Sequence, residues 1–220
     1  MNYRKLFLLI TFVTIGISYS AEAQTTFDAH VGYSPAQKIG SQEVRVINSV
    51  GNCNAAFSAT KQAARYTAGI GVTHTMESGF FVKAELEYLY SKTEYEMRDL
   101  LVSSERLPTL AYYTSNSTIS VPLSVGVRLG SFRVLSGVNA NLVAHSMTTL
   151  NNLGNFSDNS SSLYVGWHAG LGYDLGKLGL ELRYSQDFKN YAQGYSIADK
   201  QITLYGNRLR WSILLRYYFG

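Results

Sequence analysis

Phe80-Phe81-Val82-Lys83-Ala84-Glu85-Leu86-Glu87-Tyr88-Leu89-Tyr90 decides the fold. Phe80, Val82, Ala84, Leu86, Tyr88 and Tyr90 fall on one face of an extended chain, and Lys83, Glu85 and Glu87 fall on the other. Only a period of two separates the apolar from the charged set, so the segment predicts a β-strand with two unlike faces.

The same period recurs to either side. Phe27–Tyr33, a stretch around Tyr66–Thr73, and segments around Ile119–Leu129, Phe132–Leu142, Leu163–Asp174, Leu180–Phe188 and Leu209–Phe219 each alternate large apolar with small or polar residues. With the central segment, eight strands are predicted. Their connections alternate in length. Glu77-Ser78-Gly79, Gly130-Ser131 and Gly176-Lys177 are short, whereas about 35–64, 92–117, 146–161 and 190–206 are long. Short turns at one rim and long loops at the other, with an even strand count, predict an all-β, eight-stranded antiparallel transmembrane up-and-down β-barrel.

Alternation does not say which face is inside, and a soluble lipocalin-like ligand-binding barrel is the rival. Volume separates them. The apolar faces carry roughly forty large side chains, and eight strands enclose an interior only just wide enough to be filled. Gly, Ser, Thr and Asn with a few long charged residues fit that space, so the apolar face is expected to meet lipid. The lumen set is then Asp28, Glu85, Glu87, Asp174 and Glu181 against Lys83, Arg128, Arg133, Arg183, Arg210 and Arg216. Charges of both signs confined together are expected to pair as a plug rather than line an ion path.

Aromatic residues bracket the lipid-facing surface. Phe27, Phe80, Phe132, Tyr173, Tyr217 and Phe219 fall near the short-turn rim, and Tyr33, Tyr66, Tyr88, Tyr90, Tyr184 and Phe188 near the other. Phe80 to Tyr90 rises roughly 33 Å at ~3.3 Å per residue. Tilted by ~40°, that is about 25 Å, the height of an outer-membrane apolar band between its girdles.

Composition agrees: 220 residues, 15% charged, with 17 Tyr and only 3 Pro. The N-terminus reads as a secretory signal peptide over residues 1–23. Arg4 and Lys5 precede an apolar run from Leu6 to Ile17, and Ala21-Glu22-Ala23 leads to cleavage between Ala23 and Gln24. The barrel domain is then 24–220. The run is short of the ~20 residues a spanning helix needs. No Cys lies near the cleavage site, so a lipoprotein anchor is not expected, and the single Cys53 reads as a free loop thiol. The net charge of +4 is too mild to imply nucleic-acid binding.

The chain resembles the outer-membrane β-barrel domain family of Bacteroidetes (PorT-like), related in shape to the small OmpA- and OmpX-type barrels. Ile119-Ser120-Val121-Pro122-Leu123-Ser124-Val125-Gly126-Val127, Leu182-Arg183-Tyr184-Ser185 and Leu215-Arg216-Tyr217-Tyr218-Phe219 carry the resemblance. It implies location in the cell outer membrane, contact with outer-membrane lipid and recognition of the C-terminal strand by the barrel-insertion machinery. It also implies a surface or envelope protein partner, with an accessory role in a secretion or envelope assembly as one variant. Gly220 follows the terminal aromatic, and Leu214 stands where that signal often has Gly.

No catalytic, cofactor or metal site is expected. His30, His74, His145 and His168 lack metal-ligand spacing, and no H-E-x-x-H, C-x-x-C, G-x-S-x-G or phosphate-cradling loop is present. Lipid A modification is the enzymatic alternative, and His145-Ser146 is its rim pair. Adjacent strand residues point to opposite faces, which argues against a dyad. The expected role is structural, or binding through the long loops of a monomeric barrel. Among these loops, 54–64 and Glu96 to Leu107 read as candidate short helical turns, Asn151 to Ser162 as a polar loop, and Tyr112-Tyr113 as an exposed contact.

Overall fold

The computed structural model describes residues 24–38, 44–47, 54–99, 110–149, 156–158, 163–188, 193–197, 200–203 and 209–219. Cleavage at Ala23-Gln24 and Cys53 lie outside or at the edge of these residues. Eight long strands form the barrel: β1 (Gln24–Ser34), β2 (Asn54–Thr75), β3 (Phe80–Asp99), β4 (Leu110–Leu129), β5 (Phe132–Thr148), β6 (Leu163–Leu175), β7 (Leu178–Asp187) and β8 (Arg210–Phe219). Each pairs antiparallel with the next, and β1 pairs with β8 from Phe27↔Phe219 to Tyr33↔Ile213, which closes the sheet. Closure leaves no ladder edge within the barrel wall.

The three short connections show why their glycines are there. Gly79, Gly130 and Gly176 have φ of 82°, 63° and 60°, a region in which a side chain strains the backbone. Leu129↔Phe132 and Leu175↔Leu178 leave two-residue turns, whose twist matches that of the flanking strands when φ is positive.

Alternation resolves as the volume argument requires. Ile70, Val125 and Leu171 are each 61% exposed on the outer surface, whereas Lys83, Glu181 and Arg216 are fully buried inside. Aromatic clusters stand at both heights: Phe132 on Tyr173 (4.8 Å) and Tyr217 on Phe219 (5.3 Å) near the short turns, Tyr33 on Tyr66 (5.7 Å) and Tyr184 on Trp211 (4.8 Å) near the other rim.

Glycines on the inner face of β2 and β6 give the long lumen side chains their room. His30 and Glu87 both stand opposite Gly69, Arg133 and Glu181 opposite Gly172. A Cβ on Gly69 would lie 2.6 Å from the Leu86 carbonyl and 2.7 Å from the His30 ring. Gly69→Ala is therefore expected to cost about 1–3 kcal/mol, the usual range for forced overpacking. Gly170→Ala, whose nearest contact is the Leu135 side chain at 3.2 Å, should lose less. Urea midpoints of the refolded variants check the order.

Strand lengths are unequal. β1, β6, β7 and β8 have 11, 13, 10 and 10 residues, close to the ~9–11 that cross a bilayer. β2, β3, β4 and β5 have 22, 20, 20 and 17 and continue on the long-loop side. The stretch 54–64, read as a candidate helical turn, is instead strand, paired from Ala55↔Asp99 to Gln62↔Thr93. Likewise Glu96–Asp99 is strand, and 100–107 lies outside the described residues. Helical spacing of alanines is a weak preference, and a ready-made neighbouring strand that takes up the backbone N–H and C=O groups overrides it. Two short strands, Gln37–Lys38 and Val44–Ile47, pair with β2 in this region. Phe156–Asp158, Gln193–Ile197 and Lys200–Thr203 form a separate small sheet from two of the long connections.

Candidate functional site

Charged side chains meet at mid-lumen because neighbouring strands present them at one level. β3 supplies Lys83, Glu85 and Glu87, β7 supplies Glu181 and Arg183, β1 supplies Asp28 and β8 supplies Arg216. Arg183 donates to Glu181 (2.9 Å), Glu87 (2.9 Å) and Glu85 (2.7 Å). Arg216 donates to Glu181 (2.9 Å) and Asp28 (2.7 Å), and its second terminal nitrogen lies 2.7 Å from Glu85. Lys83 stands 3.2 Å from Glu85 and 3.6 Å from Asp28. Glu85 and Glu181 thus each bridge Arg183 and Arg216, so the cluster is one connected unit.

Nearer the short turns a second group hangs on Asp174. Arg128 donates to it at 2.8 Å, Arg133 at 3.1 Å and the Tyr218 hydroxyl at 3.0 Å. Arg133 also reaches Glu181 at 3.6 Å and ties the two groups together. Arg128 is the most exposed member, its side chain 29% accessible. Arg210 is the predicted lumen charge set apart from both groups. It is buried and lines the lumen on the long-loop side with Asp187.

His30 and His168 are also buried in the lumen. His30 lies inside the cluster, with Nδ1 3.2 Å from Asp28 and Nε2 3.2 Å from Glu87. His168 shares a hydrogen bond with Ser124 at 2.8 Å. That contact joins strands 44 residues apart, so sequence adjacency could not reveal it. Tyr218, Leu214, Phe81 and Leu135 also point inward. Doubled apolar pairs, Tyr217-Tyr218, Leu214-Leu215 and Phe80-Phe81, were the available signal, since one member of each must face the lumen.

The chemistry open to these groups is narrow. Carboxylates and imidazole of Asp28, His30 and Glu85 bring ligand atoms within 4.8 Å of one another. Lys83 and Arg216 already supply the positive charge there, at 3.2 and 2.7 Å from Glu85, so a divalent ion would meet like charge. The Ser124–His168 pair has the partners of a nucleophile and a base. The polar chamber beside His168 is about 40 Å³, room for about three waters and too small for an acyl chain. His145 and Ser146 sit where β5 leaves the barrel, past a bulge at Ser117/Thr118, and no hydrogen bond joins them among the described residues.

On the projecting part of the sheet the residues turn polar. Ser91, Lys92, Thr93 and Glu94 of β3 pair with Asn116, Ser115, Thr114 and Tyr113 of β4. Tyr113 is exposed and carries Lys92 over its ring at 3.9 Å, a cation–π contact. β5 pairs with β6 only as far as Leu142↔Leu163. From Val143 to Thr148 no described strand pairs with it on the side away from β4.

The chain is similar to three solved outer-membrane structures. The outer membrane protein Ail of Yersinia pestis, in a phospholipid bilayer nanodisc, is 12% identical over 87% of this chain and 99% of that one, TM-score 0.35. The translocator domain of the autotransporter NalP of Neisseria meningitidis is 11% identical over 98% and 94%, TM-score 0.37. The beta domain of the Bordetella autotransporter BrkA is 9% identical over 89% and 100%, TM-score 0.29. No protein-family model matches the chain. No curated protein matches it.

Proposed function

We propose that this chain is a monomeric outer-membrane barrel with a plugged lumen, whose task is to hold a sheet at the cell surface for binding another protein. The observation that carries the reading is the uneven strand length: β2–β5 outrun the apolar belt on the long-loop side and end in a β5 edge, Val143 to Thr148, on whose far side no strand pairs among the described residues. An unpaired edge offers backbone N–H and C=O groups to an incoming strand. The belt supports the membrane assignment, because an outer surface of Ile70, Leu86, Val125 and Leu171 would be costly in water. The ion-pair cluster opposes passage of solutes, since it fills the lumen with groups already paired. Kinship with the Bacteroidetes PorT-like barrels, and with it an accessory place in a secretion or envelope assembly, rests on 119–127, 182–185 and 215–219 alone.

Site-directed labelling tests the surface assignment. In a chain with Cys53→Ser, Met147→Cys should react with a membrane-impermeant maleimide on intact cells. Lys177→Cys, in the β6–β7 turn, should react only after lysis. A silent Met147→Cys on intact cells, or a labelled Lys177→Cys, would overturn the orientation and with it the surface role.

A further inference from the structure

Above the ion-pair cluster, on the long-loop side, every barrel strand contributes to the polar chamber of about 40 Å³. Three of its lining groups are not satisfied by the protein. Asn141 is 1% exposed, yet neither its amide nitrogen nor its oxygen has a hydrogen-bond partner, and the Asn139 oxygen has none either. Leaving a buried polar group unmade costs about 1–3 kcal/mol, so the chamber is built to hold a polar guest.

Charge selects the sign of that guest. Arg183 and Glu87 lie 2.9 Å apart and both belong to the ion-pair cluster below the chamber. Arg210 and Asp187 both line the chamber and offset one another. Arg65, half-buried on β2 opposite Ser34, makes no ion pair among the described residues. One guanidinium is therefore left over, facing a chamber that also offers the Asn141 amide. Size selects the shape. Room for about three waters favours a small head group such as a carboxylate over the bulkier tetrahedral phosphate or sulfate. A planar carboxylate also matches the guanidinium fork.

We propose that this chamber is a carboxylate-binding site, with Arg65 supplying the charge and Asn141 a hydrogen bond. The carboxylate belongs either to a free small acid or to the terminus of an entering peptide. The proposal needs only the barrel, and its test is independent of surface labelling.

The full chain is refolded into detergent and the side-chain ¹H–¹⁵N signals of Asn141 and Arg65 are followed during titration with sodium acetate. Sodium chloride at equal ionic strength is the control. A saturable shift with acetate and none with chloride is expected, and Arg65→Gln should weaken it at least about tenfold, the loss of one charge-assisted bond. Heat-modifiable gel mobility verifies that the variant is folded. Arg65→Lys, which keeps the charge and loses the fork, replaces it if Arg65→Gln does not fold, and it should weaken binding too. A triglycine peptide with a free C-terminus, compared with its amide, separates the sources: shifts from acetate alone indicate a free acid, shifts from the free peptide as well admit a chain terminus. No saturable acetate shift, an equal response to chloride, or unchanged affinity in the Arg65 variant would overturn the site.

Discussion

Arg216→Met should remove about 3–5 kcal/mol of folding stability, the range seen when one partner of a buried ion pair is deleted. Arg216 is fully buried and holds Asp28, Glu85 and Glu181 at 2.7–2.9 Å. Methionine fills much of the same volume, so the loss would come from three carboxylates deprived of a counter-charge rather than from a cavity. Arg128→Gln offers the contrast. It also breaks an ion pair, to Asp174 at 2.8 Å, but near the short-turn rim, where water screens the charge left behind. Its cost should stay within about 1 kcal/mol. Adding Glu181→Gln to Arg216→Met removes one of the stranded charges and should restore part of the stability, a coupling of about 0.5–3 kcal/mol in the double-mutant cycle. Urea titration of these three refolded barrels, with Glu181→Gln alone to complete the cycle, reads the losses. Equal small losses for Arg216→Met and Arg128→Gln would mean that the cluster is hydrated and not a plug.

How much of this was legible beforehand depends on the range of the interaction. Alternation from Phe80 to Tyr90 is local, and it placed Lys83, Glu85 and Glu87 on the inner face without reference to any other strand. Glycine at the three short turns was legible for the same reason. Pairing was not. Whether Arg216 meets Asp28 or Asp174 depends on the stagger between strands around the barrel, which no single strand encodes. The lumen charges could be named from the sequence, but their division into one group on Glu85 and Glu181 and another on Asp174 could not. The Ser124–His168 contact and the chamber between Arg65 and Asn141 are hidden similarly, since each joins strands distant in the chain. The 54–64 stretch failed differently. Its alanines suit a helix, and only the paired backbone of β3 makes it strand. Leu214 and Tyr218, passed over as lumen residues, broke the alternation visibly, and the doubled pairs were a usable signal.

The outward face carries the second large effect. Leu86→Arg should cost about 2–4 kcal/mol in a bilayer, the price of an arginine at mid-depth on the lipid side of a barrel. Leu86 is 51% exposed, lies between the Phe80 and Tyr90 girdle positions, and pairs with Ile70 of β2, itself 61% exposed. No water-filled lumen is within reach of its side chain, because successive residues of β3 alternate faces and the lumen belongs to Glu85 and Glu87. Met147→Arg is the matched control. Met147 is 62% exposed, more than Leu86, but it sits on β5 beyond Leu142, where pairing with β6 has ended. If the belt is lipid and the projecting sheet is in water, the less exposed site suffers the large loss and the more exposed one loses almost nothing. Exposure and cost then run in opposite order, which no soluble barrel would give. Unfolding of both variants in phospholipid vesicles, followed by emission from Trp167 and Trp211, makes the comparison. Equal stability of the two would place the apolar face outside the bilayer and remove the basis for a membrane barrel.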